Sequence, residues 1–143
     1  MTAITLAQAQ TMVAAALAYS REHKFNPMAI VVLDARGVPK AYAAEDGTAL
    51  RRYDIAYGKA YGSLAMGVGS KTLGVRAVER PHFIGAVNGA IGGAMIPVAG
   101  AVLIKVDGQV MGCIGATGDT SDHDDDAARA GIAAVAGLTA DPS

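Results

Sequence analysis

The sequence predicts a three-layer α/β/α sandwich built around a central β-hairpin. Two apolar runs, residues 101–106 and 109–117, are separated by Asp107-Gly108, a pair that tolerates positive φ and favours a tight turn between antiparallel strands. The expected cross-strand pairs beyond that turn are Val106 with Gln109, Ile104 with Met111 and Val102 with Cys113. Both faces of the hairpin are then mostly apolar, and a sheet buried on both faces needs helices on both faces.

The elements before this hairpin are predicted from changes in hydrophobic periodicity. Thr5 and Gln8 form a capping-box pattern, so a first helix is expected from about Leu6 to Glu22. Pro27 prevents its continuation, and a second hairpin is expected from β-branched and turn residues. The predicted ranges are strands at 29–33 and 38–44, and a second helix from about 48 to 67–69.

The region between the second helix and the central hairpin has weaker signals. A short helix or irregular turn is predicted at residues 70–79, a helical turn at 82–88, a flexible glycine-rich bend at 89–93 and a short strand at 95–98. After the hairpin, Thr120 or Asp122 caps a last helix from about residue 123 to 138. Its first turn carries acidic residues 124–126, where the helix dipole favours negative charge.

Composition restricts the class of protein. The 143 residues are expected to form one domain, and a net charge of -1 without a Lys/Arg run predicts no nucleic-acid partner and no membrane partner. The single cysteine, Cys113, lies in a predicted strand and is expected to be a buried small hydrophobe. Because one cysteine cannot form an internal disulfide, a reducing, cytoplasmic location is predicted. No apolar run approaches the ~20 residues of a membrane span.

A series of residues links the chain to a known family. In order, the shared features are an alanine-rich first helix, a strand ending at Asp34 with Gly37 in the turn, a helix carrying Ala56, Lys59 and Ala60, then Gly92-Gly93, and finally Gly112-Cys113-Ile114-Gly115 leading through Gly118 to Asp126 and Ala127. In this order and spacing, the whole chain resembles the GlcG/HbpS-like family of small haem-binding domains, which also occurs fused to cobalamin adenosyltransferases. Many members have a Pro-Gly-Gly run where this chain has residues 97–100, so the pocket edge is expected to differ here.

The resemblance implies a profilin-like fold with a five-stranded antiparallel sheet. It also implies non-covalent haem binding, in haem sensing, storage or degradation, and assembly into dimers or larger homo-oligomers. Tyr53, Tyr57 and Tyr61 recur every four residues on the second helix, a stripe that favours packing or an oligomer interface over a ligand face.

Several side chains are candidates for holding haem. His23, at the end of the first helix, lies where some members of the family present haem-ligating histidines, and Tyr19 is one turn earlier; the alternative is a surface histidine that caps helix carbonyls. His82 lies beside the glycine-rich bend, where it is either a ligand or a turn residue. Lys59 and Arg80 are candidate partners of a propionate or a substrate carboxylate, although Arg80 could equally bond exposed carbonyls. Thr117 is either a hydrogen-bonding group for a ligand or a simple strand end.

Two functions of other classes remain open from the residues. In the first, Arg80, His82, Asp119 and His123 converge as an anion-holding arginine and acid/base groups, acting on a small carboxylate or an aromatic-catabolism intermediate. In the second, the protein is an oligomeric scaffold without a ligand. The acidic residues around His123 lack the spacing of a calcium loop and are expected to be a solvated helix cap, so no metal site is predicted.

Overall fold

A five-stranded antiparallel sheet lies between two helical layers in the computed structural model, which describes residues 3–143. The strand order is β2-β1-β4-β3-β5. The elements are α1 (Leu6–Glu22), β1 (Ala29–Asp34), β2 (Pro39–Ala44), α2 (Arg52–Met66), α3 (Ser70–Glu79), α4 (Pro81–Ala90), β3 (Ala101–Val106), β4 (Gln109–Thr117), α5 (Ser121–Ala133) and β5 (Thr139–Ala140). This architecture confirms the predicted antiparallel α/β/α sandwich.

Each face of the sheet has its own apolar core. Helices α1 and α5 cover one face, where the buried strand residues are Ile30, Val32, Val102, Ile104 and Ile114. Helix α2 covers the other face, where Val31, Leu33, Ala101, Leu103 and Cys113 pack against Ala56 and Ala60. A Cβ on Gly115 would collide with the backbone carbonyl of Ala56, so this glycine lets α2 approach the sheet closely.

The register of the central hairpin differs from the prediction beyond its first pairs. Val106 faces Gln109 as expected, and Asp107 and Gly108 adopt positive φ values of 50° and 79°. A bulge then places Ile104 opposite Gly112 instead of Met111, and every later pair shifts by one residue. The expected pairing of Val102 with Cys113 is therefore wrong, because Val102 faces Ile114.

The fifth strand is at the end of the chain and not at residues 95–98. Met95 donates its backbone N–H to the Asn88 side chain at 2.9 Å and accepts from the Asn88 amide at 3.1 Å, so its polar groups are satisfied without a sheet. The last helix ends at Ala133, and Gly137, at φ 85°, precedes β5, which pairs with β3. The predicted helix end at residue 138 is also wrong.

Two full helices replace the weakly predicted region before the central hairpin. Helices α3 and α4 are separated at Arg80 (φ -137°, ψ 63°), because a residue that precedes proline disfavours the helical conformation. Leu73, Ile84 and Met95 form a small core beneath these helices. Within residues 3–143, no helix has the length and apolar character that a membrane span requires.

Candidate functional site

Four aromatic side chains meet where α1 ends and α5 begins. The Tyr19 and His23 rings stack with centroids 3.8 Å apart, and the Phe25 and His123 rings stack at 4.3 Å with an interplanar angle of 7°. The His23 and Phe25 centroids are 5.8 Å apart. We call these four residues the aromatic cluster. It brings together His23, a candidate haem ligand, and His123, a member of the predicted acid/base group, which are far apart in the sequence.

Local capping explains how the two helices present these rings. His23 is the C-cap of α1, and Lys24 takes a left-handed conformation (φ 57°) that turns the chain so that Phe25 is buried. Thr120 caps α5, and its Oγ1 accepts a hydrogen bond from the backbone N–H of His123 at 3.3 Å. Both imidazoles remain exposed, whereas Phe25 between them is buried.

Hydrogen bonds fix the tautomer of both histidines. Nδ1 of His23 lies 2.8 Å from the carbonyl oxygen of Tyr19, which can only accept, so Nδ1 carries the proton and Nε2 keeps its lone pair in the neutral ring. Nδ1 of His123 lies 2.6 Å from Oδ1 of Asp119. Hydrogen bonds from the backbone N–H groups of Asn26 and Thr120, and from His123, lower the pKa of Asp119 to about 2, so this carboxylate also accepts. Histidines that ligate metals typically have Nδ1 held in this way.

Asp119 connects the aromatic cluster to the protein interior. Its Oδ2 accepts from the backbone N–H of Asn26 at 2.7 Å, which holds the loop after α1. Its own N–H donates to Oδ1 of Asp124 at 2.9 Å. Asp119 is therefore a positioning residue, because it orients His123 while it joins the ends of α1 and α5.

Lys59 lies inside the fold rather than at a ligand surface. Its Nζ is 3.0 Å from Oδ2 of Asp124 and 3.1 Å from the carbonyl oxygen of Ala116, and the Lys59 and Asp124 side chains are only 3% and 2% exposed. Burial lowers the pKa of Lys59 and raises that of Asp124, and the opposite charge of each partner offsets this effect. The ammonium of Lys59 thus already has a carboxylate partner within the chain.

Thr117 is buried at the end of β4 and contacts a residue that the sequence analysis missed. Its Oγ1 accepts a hydrogen bond at 3.1 Å from Nη1 of Arg52, the first residue of α2. Arg52 follows Arg51 at a helix start, where the dipole disfavours positive charge. That unfavourable placement was a signal available in the sequence. Phe25 was missed because nothing in the sequence distinguishes it from a core residue.

Arg80 and His82 lie elsewhere, at the junction of α3 and α4. The guanidinium carbon of Arg80 is 4.4 Å from the Phe83 ring centroid, and His82 is exposed in the first turn of α4. Neither side chain forms a hydrogen bond or ion pair with Asp119 or His123. Among the four residues of the predicted acid/base group, the structure brings together Asp119 and His123 alone.

A separate groove of about 580 Å³ lies between α3, residues 97–99 and the start of α5. Its apolar wall includes Val75, Val78, Pro97 and Val98, and Lys71 and Asp122 are on its rim. None of the three histidines lines it. The residues that replace the family's Pro-Gly-Gly run form one wall of this groove.

The tyrosine stripe on α2 packs within the chain. Successive ring centroids of Tyr53, Tyr57 and Tyr61 are 6.0 and 5.7 Å apart, and the three side chains pack against the core beneath α2. The Tyr61 hydroxyl donates a 2.6 Å hydrogen bond to the carbonyl oxygen of Ile91. The stripe thus joins α2 to the loop after α4.

The antiparallel sandwich with a histidine pair at one end defines a small α/β domain of the kind that the sequence resemblance indicates. Residues 4–133 match the sequence model of the family described as "Haem degrading protein HbpS-like". The chain therefore belongs to this family, which confirms the resemblance. Comparison with curated proteins gives no match.

Solved structures share the fold at low sequence identity. The crystal structure of a PduOC:heme complex has 21% identity and a TM-score of 0.83, over 94% of this chain and 96% of that chain. HbpS has 23% identity and a TM-score of 0.81, over 94% and 92%. The Klebsiella pneumoniae protein ORFY has 22% identity and a TM-score of 0.84, over 94% and 91%.

Proposed function

We propose that this protein binds haem non-covalently at the aromatic cluster, with His23 as the axial ligand. The observation that carries the proposal is the state of the His23 imidazole. The backbone carbonyl oxygen of Tyr19 lies 2.8 Å from Nδ1, so the Nε2 lone pair of this exposed ring is available to iron. Membership in a haem-degrading family and the haem complex of PduOC support haem as the ligand.

The neighbouring residues fit such a ligand. Tyr19 and Phe25 provide aromatic surface beside the imidazole, and His123 contributes a second imidazole, whose Nδ1 is held by Asp119. When bound, haem supplies a redox-active iron. The residues of this chain orient the imidazoles through Tyr19 and Asp119 and hold the apolar surface in place through buried Phe25.

Hemin titration followed by the Soret band tests the proposal. We expect a saturable, shifted band for the wild-type protein that is lost in His23→Ala and retained in the control His82→Ala, which removes an exposed histidine on α4 that is not part of the cluster. Loss in His123→Ala alone would assign the axial position to His123, and loss in His82→Ala alone would assign it to the glycine-rich bend. A featureless, unsaturated change in the wild type would favour an enzyme or a ligand-free scaffold.

Among haem sensing, storage and degradation, the family description favours degradation. In that role, the complex with hemin should lose its Soret band faster than free hemin when ascorbate and oxygen are supplied. Storage or sensing would leave the band stable under the same conditions.

Acid/base catalysis is the second candidate, and the contact between His123 and Asp119 at 2.6 Å favours it. A carboxylate that orients an imidazole leaves Nε2 available to take a proton from a small substrate. In this case Asp119→Asn should abolish turnover of a small carboxylate without unfolding the protein. Self-association and a cytoplasmic location stay predictions, which sedimentation and cell fractionation test.

A further inference from the structure

We propose that Arg52, together with Thr117, forms an anion site that binds a propionate carboxylate of haem. This inference rests on the proposed function and adds a second point of attachment to it. It replaces Lys59 and Arg80 as the expected partners of the propionate, since Lys59 is paired with Asp124 and Arg80 lies at the junction of α3 and α4.

The guanidinium of Arg52 has unused hydrogen-bonding capacity. Arginine offers five N–H donors, and within residues 3–143 the Arg52 side chain makes one hydrogen bond, from Nη1 to Thr117. No carboxylate of the described residues lies within ion-pair distance of it. By contrast, four other arginines each have a carboxylate partner: Arg21 pairs with Glu45, Arg36 with Asp34, Arg51 with Asp54 and Arg129 with Asp125. Arg52 therefore retains donors for two-point binding of a carboxylate.

The charges around Arg52 also favour an anion. Arg52 starts α2, where the helix dipole is positive, and its charge is close enough to Lys59 to contribute to the lowered pKa of that buried lysine. Two cations and a helix N-terminus thus meet at the end of β4, and Asp124 is the carboxylate that pairs with one of the cations. A bound carboxylate would relieve the remaining repulsion.

The anion site and the aromatic cluster are attached to the same short segment. Thr117 contacts Arg52, and Asp119, two residues later, holds His123. Two residues of extended backbone span at most about 7 Å. Gly118 between them packs so closely on the backbone of Pro27 that a Cβ would collide with it, which fixes the segment against the loop after α1.

An apolar side chain projects from the loop just before Arg52. Leu50 is 95% exposed, the highest exposure among the large hydrophobic residues of the described chain. A guanidinium with unused donors, two residues after an exposed leucine, suits a ligand that has an apolar body and carboxylates at its edge. Haem has both features, whereas a small inorganic anion would use only the guanidinium.

Titration with hemin and with hemin dimethyl ester, which lacks free carboxylates, tests this site. Arg52→Gln should weaken hemin binding about tenfold or more, because a charge-assisted, two-point contact is lost. The same variant should bind the dimethyl ester as the wild type does. Arg51→Gln is the matched control: Arg51 is exposed and paired with Asp54, so both affinities should stay at wild-type values.

The possible outcomes separate this inference from the proposed function. A saturable hemin band with equal affinity in the wild type and Arg52→Gln would overturn the propionate site and leave haem binding intact. Equal weakening toward hemin and the ester would also overturn it, because Arg52 would then act through the fold. No saturable band in the wild type would refute the proposed function and this inference together. If Arg52→Gln does not fold, Arg52→Lys can be used instead, because it keeps the charge. It should show a smaller loss of affinity that is again specific to hemin.

Discussion

Replacing Lys59 with methionine should destabilise the protein strongly, because it leaves a buried carboxylate without its counter-ion. The ammonium of Lys59 bonds Oδ2 of Asp124 and the carbonyl oxygen of Ala116, and both charged side chains are at most 3% exposed. Methionine fills a similar volume, so the main loss is electrostatic. Breaking one side of a buried ion pair costs about 3–5 kcal/mol, a large share of the about 5–15 kcal/mol that stabilises a typical domain.

Urea unfolding followed by circular dichroism measures this loss. The double variant Lys59→Met/Asp124→Asn removes both charges and keeps a side-chain acceptor for the backbone N–H of Asp119, so it should recover most of the stability, and the coupling energy follows from the double-mutant cycle. Lys71→Met is the matched control: Lys71 is exposed and 3.9 Å from Asp122, so its loss should cost under about 0.5 kcal/mol. A loss below about 1 kcal/mol for Lys59→Met would refute the assignment of a tightly coupled buried pair.

Two further predictions concern pH and packing. The pKa of Asp119 is about 2 in the folded protein against 3.8 for an ordinary aspartate, so its contribution to stability is present above pH 3.8 and is lost as the pH falls toward 2. In Asp119→Asn, the stability measured by circular dichroism should therefore fall less steeply with decreasing pH in this range. An unchanged dependence on pH would contradict the assigned hydrogen bonds. Gly115→Ala should cost about 1–3 kcal/mol, because its Cβ would meet the carbonyl of Ala56. Gly85→Ala, where a Cβ on a helix meets open space, should be neutral or stabilising by up to about 1 kcal/mol, and thermal unfolding compares the two.

Local signals in the sequence predicted the elements whose structure depends on adjacent residues. Helix α1 spans Leu6–Glu22 as expected, since Thr5 and Gln8 form both hydrogen bonds of the capping box at 3.0 and 3.1 Å. The turn at Asp107 was likewise fixed by two neighbouring residues. Capping and tight turns are properties of a few consecutive residues, which is why they could be predicted from the sequence.

The errors have a common origin in contacts between distant residues. The bulge near Met111 was not predictable, because a hairpin that is apolar on both faces lacks the alternation that reveals register. Strand β5 has two residues and exists because β3 offers it an edge. The partnership of His123 with Phe25 likewise depends on tertiary packing.

Ligand rescue of His23→Gly tests the central claim most directly. His23 is exposed and has an ordinary negative φ of -89°, so glycine can replace it without a steric clash, and the variant removes the imidazole while Tyr19 and Phe25 remain. We predict that His23→Gly loses the shifted Soret band of the hemin complex and that free imidazole restores a saturable, protein-dependent band. His82→Gly should keep the wild-type band without imidazole. A wild-type band in His23→Gly without added imidazole, or a rescued spectrum identical to that of hemin and imidazole without protein, would contradict the claim that His23 is the axial ligand.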